Sequence, residues 1–154
     1  MTWKEVGGVP PTRTFGPITT EMLVRYAGAS GDLNPMHYDH EYAQAAGYRG
    51  VFAQGMQLAA LLSTYVAELL GPRSVRRFGV TFRSQVWVGD IVTGSGEVTE
   101  VTTSDTGVRV VLRLALTTQE GTLAVAGEAE LEVPTSLWES AETQPQALTA
   151  QGVQ

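Results

Sequence analysis

The stretch Gln54-Gly55-Met56-Gln57-Leu58-Ala59-Ala60-Leu61-Leu62-Ser63-Thr64-Tyr65-Val66-Ala67-Glu68-Leu69-Leu70, closed by Gly71-Pro72, decides the fold of this chain. Wound as a helix, it carries apolar residues on every side: Met56, Leu58, Ala59, Ala60, Leu61, Leu62, Val66 and Leu69. A helix that is apolar all round belongs inside a protein. It is shorter than the ~20 apolar residues of a membrane span, and Gln57, Ser63, Thr64 and Glu68 interrupt it. The spacing predicts a long buried helix, so the rest of the chain must supply what buries it.

Downstream the helical period gives way to alternation. Phe78, Val80, Phe82, Val86 and Val88 alternate with Arg77, Gly79, Thr81, Gln85 and Trp87, which predicts a first strand from Val75 to Val88. A turn at Gly89-Asp90 leads to a second strand over 91–101. Val108, Val110, Leu112, Leu114 and Leu116 alternate with Arg109 and Arg113 in a third. After Gln119-Glu120-Gly121, the last strand sets Leu123, Val125, Ala129, Leu131 and Val133 against Glu128, Glu130 and Glu132, and Pro134 ends it.

Upstream, Gly7, Gly8, Pro10, Pro11 and Pro17 mark an extended leading segment with a short strand near Arg13–Phe15. Thr19 caps a helix bearing Met22, Leu23, Tyr26 and Ala27, and residues 40–46 form a second, ended by Gly47. The order is helices, the buried helix, then four meandering antiparallel strands. An α+β domain over residues 1–134 satisfies it: one antiparallel sheet of five or six strands wrapped around the central helix. Residues 135–154, rich in Ser, Thr, Gln and Ala, read as a mobile tail that Trp138 and Leu148 could tack down locally.

At 154 residues the chain fits one domain. Its net charge of −6 argues against nucleic-acid binding, which needs clustered Lys and Arg. The 17% charged content is low enough to suit a surface partly covered by another subunit. With no cysteine there are no disulfides, thiolate nucleophiles or Cys-based metal sites, which fits a reducing compartment. Met1-Thr2-Trp3-Lys4-Glu5 does not open a secretory signal, and no stretch is long and apolar enough to span a membrane. A soluble cytoplasmic protein is the expectation.

Chemistry concentrates in Gly31-Asp32-Leu33-Asn34-Pro35-Met36-His37. A carboxylate and one of only two imidazoles stand five positions apart, with a turn-forming Asn-Pro between them. Aspartate accepts protons and histidine titrates near neutrality. Together they can hold a water and move its protons, the hardware of general acid–base catalysis. The plainer reading is an Asx turn with a helix cap and a structural histidine. His40 reads as a solvent-side residue, and Asp39 and Asp90 as turn residues. Asp32, His37 and Asp39 lack a further His or Cys nearby, so neither a metal nor another cofactor is expected.

Tyr26 to Asp39, reading YAGASGDLNPMHYD, resembles the signature of the MaoC-like (R)-specific enoyl-CoA hydratases and (3R)-hydroxyacyl dehydratases, which have the hot-dog fold. Val51-Phe52-Ala53-Gln54-Gly55-Met56 resembles the segment that opens that family's central helix, and Val86-Trp87-Val88-Gly89-Asp90 its strand-to-strand turn. The likeness spans roughly residues 12–134. It implies reversible syn hydration of a trans-2-enoyl thioester of CoA or an acyl carrier protein, giving a (3R)-hydroxyacyl thioester. Asp32 and His37 would be the catalytic pair gripping the water, with Asn34 contacting or orienting them.

Enolate charge building on the thioester oxygen suits unpaired N–H groups at the start of the buried helix. Gly55, without a Cβ, lets that oxygen approach, and its N–H is the expected donor; the alternative is a packing glycine. Met56 belongs to the same substrate-binding segment. Ser63 either supports the catalytic Asp, as in relatives, or bonds back to its own helix. The family usually has His where this chain has Gln54, so Gln54 is expected to alter how the acyl chain or thioester is held. Arg73, Arg76, Arg77 and Arg83 form either a solvated strand face or a dock for CoA phosphates or the acidic surface of an acyl carrier protein. The chain is expected to homodimerise edge to edge, although some relatives are heteromers. Two competitors remain: a thioesterase on the same fold, and a catalytically silent acyl-binding subunit.

Overall fold

The computed structural model describes residues 3–105 and 107–141. The alternating segments form one antiparallel sheet of five strands: β1 (Arg13–Phe15), β2 (Val75–Phe82), β3 (Val92–Ser104), β4 (Gly107–Thr118) and β5 (Leu123–Val133). Helix α1 (Thr20–Ser30) starts where Thr19 Oγ1 accepts the Met22 N–H at 3.2 Å. Asp39 caps α2 (His40–Ala45) in the same way, accepting from Tyr42 N–H. The central helix, α3, runs Gly55–Leu70, as the apolar spacing predicts.

The strand order across the sheet is β1-β3-β4-β5-β2. The expected four-strand meander is therefore correct only for β3, β4 and β5; β2 pairs with β5, Phe78 opposite Ala129 and Val80 opposite Gly127. The predicted continuation of β2 to Val88 also fails. Arg83 and Ser84 both donate their N–H to the Ala124 carbonyl, which ends the ladder at Phe82. The chain then crosses toward the other edge, where Val86 O accepts the Ala53 N–H and Phe52 pairs with Trp87.

The core joins Leu58, Leu62, Tyr65 and Val66 of α3 to Val98, Leu112, Leu114, Ala129 and Leu131 of the sheet. Burying each Leu or Val among them is worth about 1.5–3 kcal/mol. The Tyr65 ring fits because β3 carries Gly94 and Gly96 beneath it; a Cβ at either would lie 3.2 Å from a Tyr65 atom. Burial on all sides does not hold for α3, since Met56, Ala60, Thr64 and Glu68 recur every four residues on its exposed side. Leu123 departs from its expected inward face because the ladder shifts register at Leu116/Thr117; Ala124 goes inside and Leu123 is left exposed.

Residues Thr135–Ser140 of the expected tail form a short helix, α4. Trp138 meets Trp3 edge-on at 5.6 Å, and the Lys4 ammonium lies over the Trp138 ring, so Trp138 does tack this stretch down. Leu148 and the rest of the tail lie outside the described residues. Among the described residues no helix is long and apolar enough to cross a membrane.

Candidate active site

The Gly31–His37 segment is a chain of local hydrogen bonds that sets the direction of each side chain. Gly31 ends α1 in the left-handed region (φ +76°), donating its N–H to Ala27 O at 2.9 Å. Only glycine takes that conformation without strain. Ser30 Oγ then accepts the Asp32 N–H, and Asp32 Oδ1 accepts the Asn34 N–H at 3.3 Å. Asn34 Oδ1 accepts the Met36 N–H and so caps a single 3-10 turn, Pro35–His37, with the proline at its first position. The Asx turn is therefore present, made by Oδ1 of Asp32, and Oδ2 is left over.

That second oxygen lies 3.7 Å from Nε2 of His37. The separation is too long for a direct hydrogen bond. The His37 side chain is 9% exposed while that of Asp32 is 45% exposed, so the imidazole is walled in and the carboxylate faces solvent. Nδ1 of His37 lies 2.8 Å from the Phe52 carbonyl oxygen, and the Phe52 ring packs edge-on to the imidazole at 5.1 Å. This contact ties the early loop to the segment that opens α3, three residues before Gly55.

At the start of α3 the Gln54 carbonyl accepts the N–H of Gln57 and Leu58, and no side chain caps the end. The N–H groups of Gly55 and Met56 have no acceptor among the described residues. They stand at the positive end of the helix dipole, where an anion is favoured. Among the described residues no three His, Cys, Asp or Glu side chains converge to hold a metal ion.

Residues 3–120 match the MaoC-like domain. The chain belongs to the MaoC-like family. It is 33% identical to the (R)-specific enoyl-CoA hydratase of Aeromonas caviae over 114 residues, 73% of this chain and 84% of that protein. Its fold matches the solved (R)-hydratase from A. caviae involved in PHA biosynthesis with a TM-score of 0.74 at 31% identity, over 84% of this chain and 97% of the other. A chain of the ChsH1–ChsH2 complex from Mycobacterium tuberculosis matches with a TM-score of 0.73 at 25% identity, over 84% and 98%. The fold is therefore the hot-dog fold, with α3 as its central helix.

Within this MaoC-like domain the remaining predicted residues fall on different sides of the site. Gln54 does not face a substrate: it is 1% exposed, and its Nε2 donates to Leu23 O at 3.1 Å. Gln57 makes the parallel bond to Met22 O, so two glutamines strut α3 to α1 from inside the core. Met56 is exposed at the rim. Ser63 donates to Ala60 O on its own helix rather than to Asp32. Arg76 is held by Glu132 at 3.0 Å, and Arg77 acts on Glu130. A cavity of about 410 Å³ on the sheet, lined by Arg77, Gly79, Val80, Thr81, Ala126, Gly127 and Glu128, shares no residue with the Asp32–His37 pair.

Two participants had no signal in the sequence. The Phe52 carbonyl orients His37, and any residue type supplies a carbonyl. Phe82, half-exposed at the end of β2, lies so close to Gly55 that a Cβ there would sit 3.3 Å from its ring.

Proposed function

We propose that this MaoC-like protein catalyses reversible syn addition of water to trans-2-enoyl thioesters, giving (3R)-hydroxyacyl thioesters, with Asp32 and His37 activating the water. The contact between His37 Nδ1 and the Phe52 carbonyl carries this reading. A carbonyl only accepts, so Nδ1 of the neutral ring keeps its hydrogen and Nε2 presents a lone pair. That lone pair faces Oδ2 of Asp32 at 3.7 Å, two acceptors across a gap. A water spans them by donating one hydrogen to each, which leaves its oxygen lone pairs free.

In hydration, the water oxygen bonds to the β-carbon while one member of the pair takes its proton. The π electrons move onto the thioester as an enolate, whose oxygen the Gly55 N–H stabilises. Return of a proton to the α-carbon from the same face restores the carbonyl. Dehydration is the reverse. CoA and an acyl carrier protein are the two candidate carriers of the thioester, and the kinship with a CoA hydratase favours CoA.

The test follows the enoyl absorbance of crotonyl-CoA with the purified chain alone, beside a thiol reagent. Hydration predicts loss of absorbance with no thiol released; a thioesterase would release thiol, and a silent subunit would do neither. Asp32→Ala and His37→Ala should each lower kcat by about 10²-fold or more, the usual worth of a general acid or base. Activity within tenfold of wild type in either variant refutes the pair's role.

A homodimer joined along β2 belongs to the same proposal. β1 and β2 are the sheet's edges, and β2, with eight residues against three, is the longer open edge. Pairing it with a second copy removes that liability. A heteromer is the alternative, as in the ChsH1–ChsH2 neighbour. The absence of cysteine suits the cytoplasm.

A further inference from the structure

Of the ten Lys and Arg residues of this acidic chain, five are held in ion pairs with carboxylates among the described residues. Arg13 pairs with Glu68, Arg25 with Glu21, Arg76 with Glu132, Arg109 with Glu100 and Glu130, and Arg113 with Glu97. Arg49 is different. It is exposed, no carboxylate among the described residues pairs with it, and its guanidinium carbon lies 4.5 Å from the centroid of the Trp87 ring. Stacking uses the face of a guanidinium and leaves the donors around its edge free.

The platform beneath it is fixed. The backbone N–H of Trp87 donates to Asp90 Oδ2 at 2.8 Å, and the Trp87 backbone pairs with Phe52 across an antiparallel bridge. The Phe52 ring meets Trp87 at 5.6 Å on one side and His37 at 5.1 Å on the other. These contacts run unbroken from the catalytic imidazole to an uncommitted cation. Among the described residues, no chain of ring contacts of this kind joins Arg73, Arg77 or Arg83 to His37.

We propose that Arg49, presented by Trp87, is the subsite for the phosphate of the thioester's carrier. The assignment rests on the hydratase reading for its ligand class, and length supports it. The ring separations of 5.1, 5.6 and 4.5 Å put the guanidinium within about 15 Å of the His37 ring, and an extended arm of about thirteen bonds, as between the thioester sulfur and first phosphorus of CoA, spans on the order of 15 Å. A thioester held at Asp32 and His37 can therefore lay its phosphate on the guanidinium edge, which matches phosphate oxygens bidentately. In a chain of net charge −6, a local cation is what brings such an anion to this side of the molecule.

Calorimetric titration of the whole chain with CoA, 4′-phosphopantetheine and pantetheine tests the subsite without requiring turnover. Arg49→Ala should raise the Kd for CoA by about tenfold, as loss of a charge-assisted contact predicts, and leave pantetheine unchanged. Arg49→Lys should recover part of the loss. An equal loss with 4′-phosphopantetheine identifies the phosphate common to CoA and acyl carrier proteins; a loss with CoA alone identifies the nucleotide phosphates. A Kd for CoA within twofold of wild type in Arg49→Ala, an equal loss with pantetheine, or no CoA binding by wild type overturns the proposal. CoA bound normally while crotonyl-CoA stays unhydrated would refute the hydratase reading and leave this subsite standing.

Discussion

Gly55 shows how one missing methyl group serves two neighbours. Its N–H is the proposed oxyanion donor, and its Cα is covered by the Phe82 ring, where a Cβ would approach to 3.3 Å. That contact is tight but the ring is half-exposed and can swing aside, so overpacking in Gly55→Ala should cost only about 1 kcal/mol in a urea unfolding measurement. Activity should fall further, by about tenfold in kcat, because the methyl group also stands where the thioester oxygen approaches. Adding Phe82→Ala should relieve the packing strain and leave kcat low. Recovery of kcat in the double variant would make Gly55 a packing glycine. Asp32 divides its two oxygens in a comparable way, Oδ1 holding the turn and Oδ2 facing His37, while the one side-chain oxygen of Asn34 is spent on the cap. Gln54 is the contrary case: a polar residue beside the site in sequence, turned inward to hold Leu23.

At the scale of elements, the outer face of the sheet is held by charge across strands. Arg109 on β4 grips Glu130 on β5 through two bonds of 2.8 and 3.0 Å, and Glu100 on β3 through one of 2.7 Å. Hydrogen bonding from Arg109, then its charge and that of Arg77, hold the Glu130 carboxyl below its ordinary value. A depressed folded-state pKa stabilises the native state above the unfolded value near 4.5, and that contribution disappears as pH falls through the lowered value. Glu130→Gln should therefore lower the midpoint of urea unfolding at neutral pH, and the difference from wild type should close in strong acid. A difference that persists unchanged at low pH would mean that packing, rather than charge, accounts for it. The β2–β3 connection matters for a different reason. Because β2 leaves the ladder at Phe82, residues 83–91 cross the sheet and deliver Trp87 to Phe52 beside the site.

For the whole molecule, pairing along β2 predicts a particle of twice the 16.5 kDa chain mass by light scattering. A monomeric mass at micromolar concentration would count against that interface. The central helix, the strand alternation and the capped turn of residues 31–37 were legible in the sequence, because each depends on periods and local hydrogen bonds that neighbouring residues specify. The Asp32–His37 pairing was legible too, since a proline-fixed turn brings residues five apart together. Which strands lie side by side was not: β2 against β5, and the loss of strand structure after Phe82, follow from how the sheet closes over α3. Nor could the sequence say that Gln54 turns inward, that the Phe52 carbonyl sets the tautomer of His37, or that Arg49 lies over Trp87. Those contacts join residues from separate segments, and only burial of the central helix against the sheet brings them within reach.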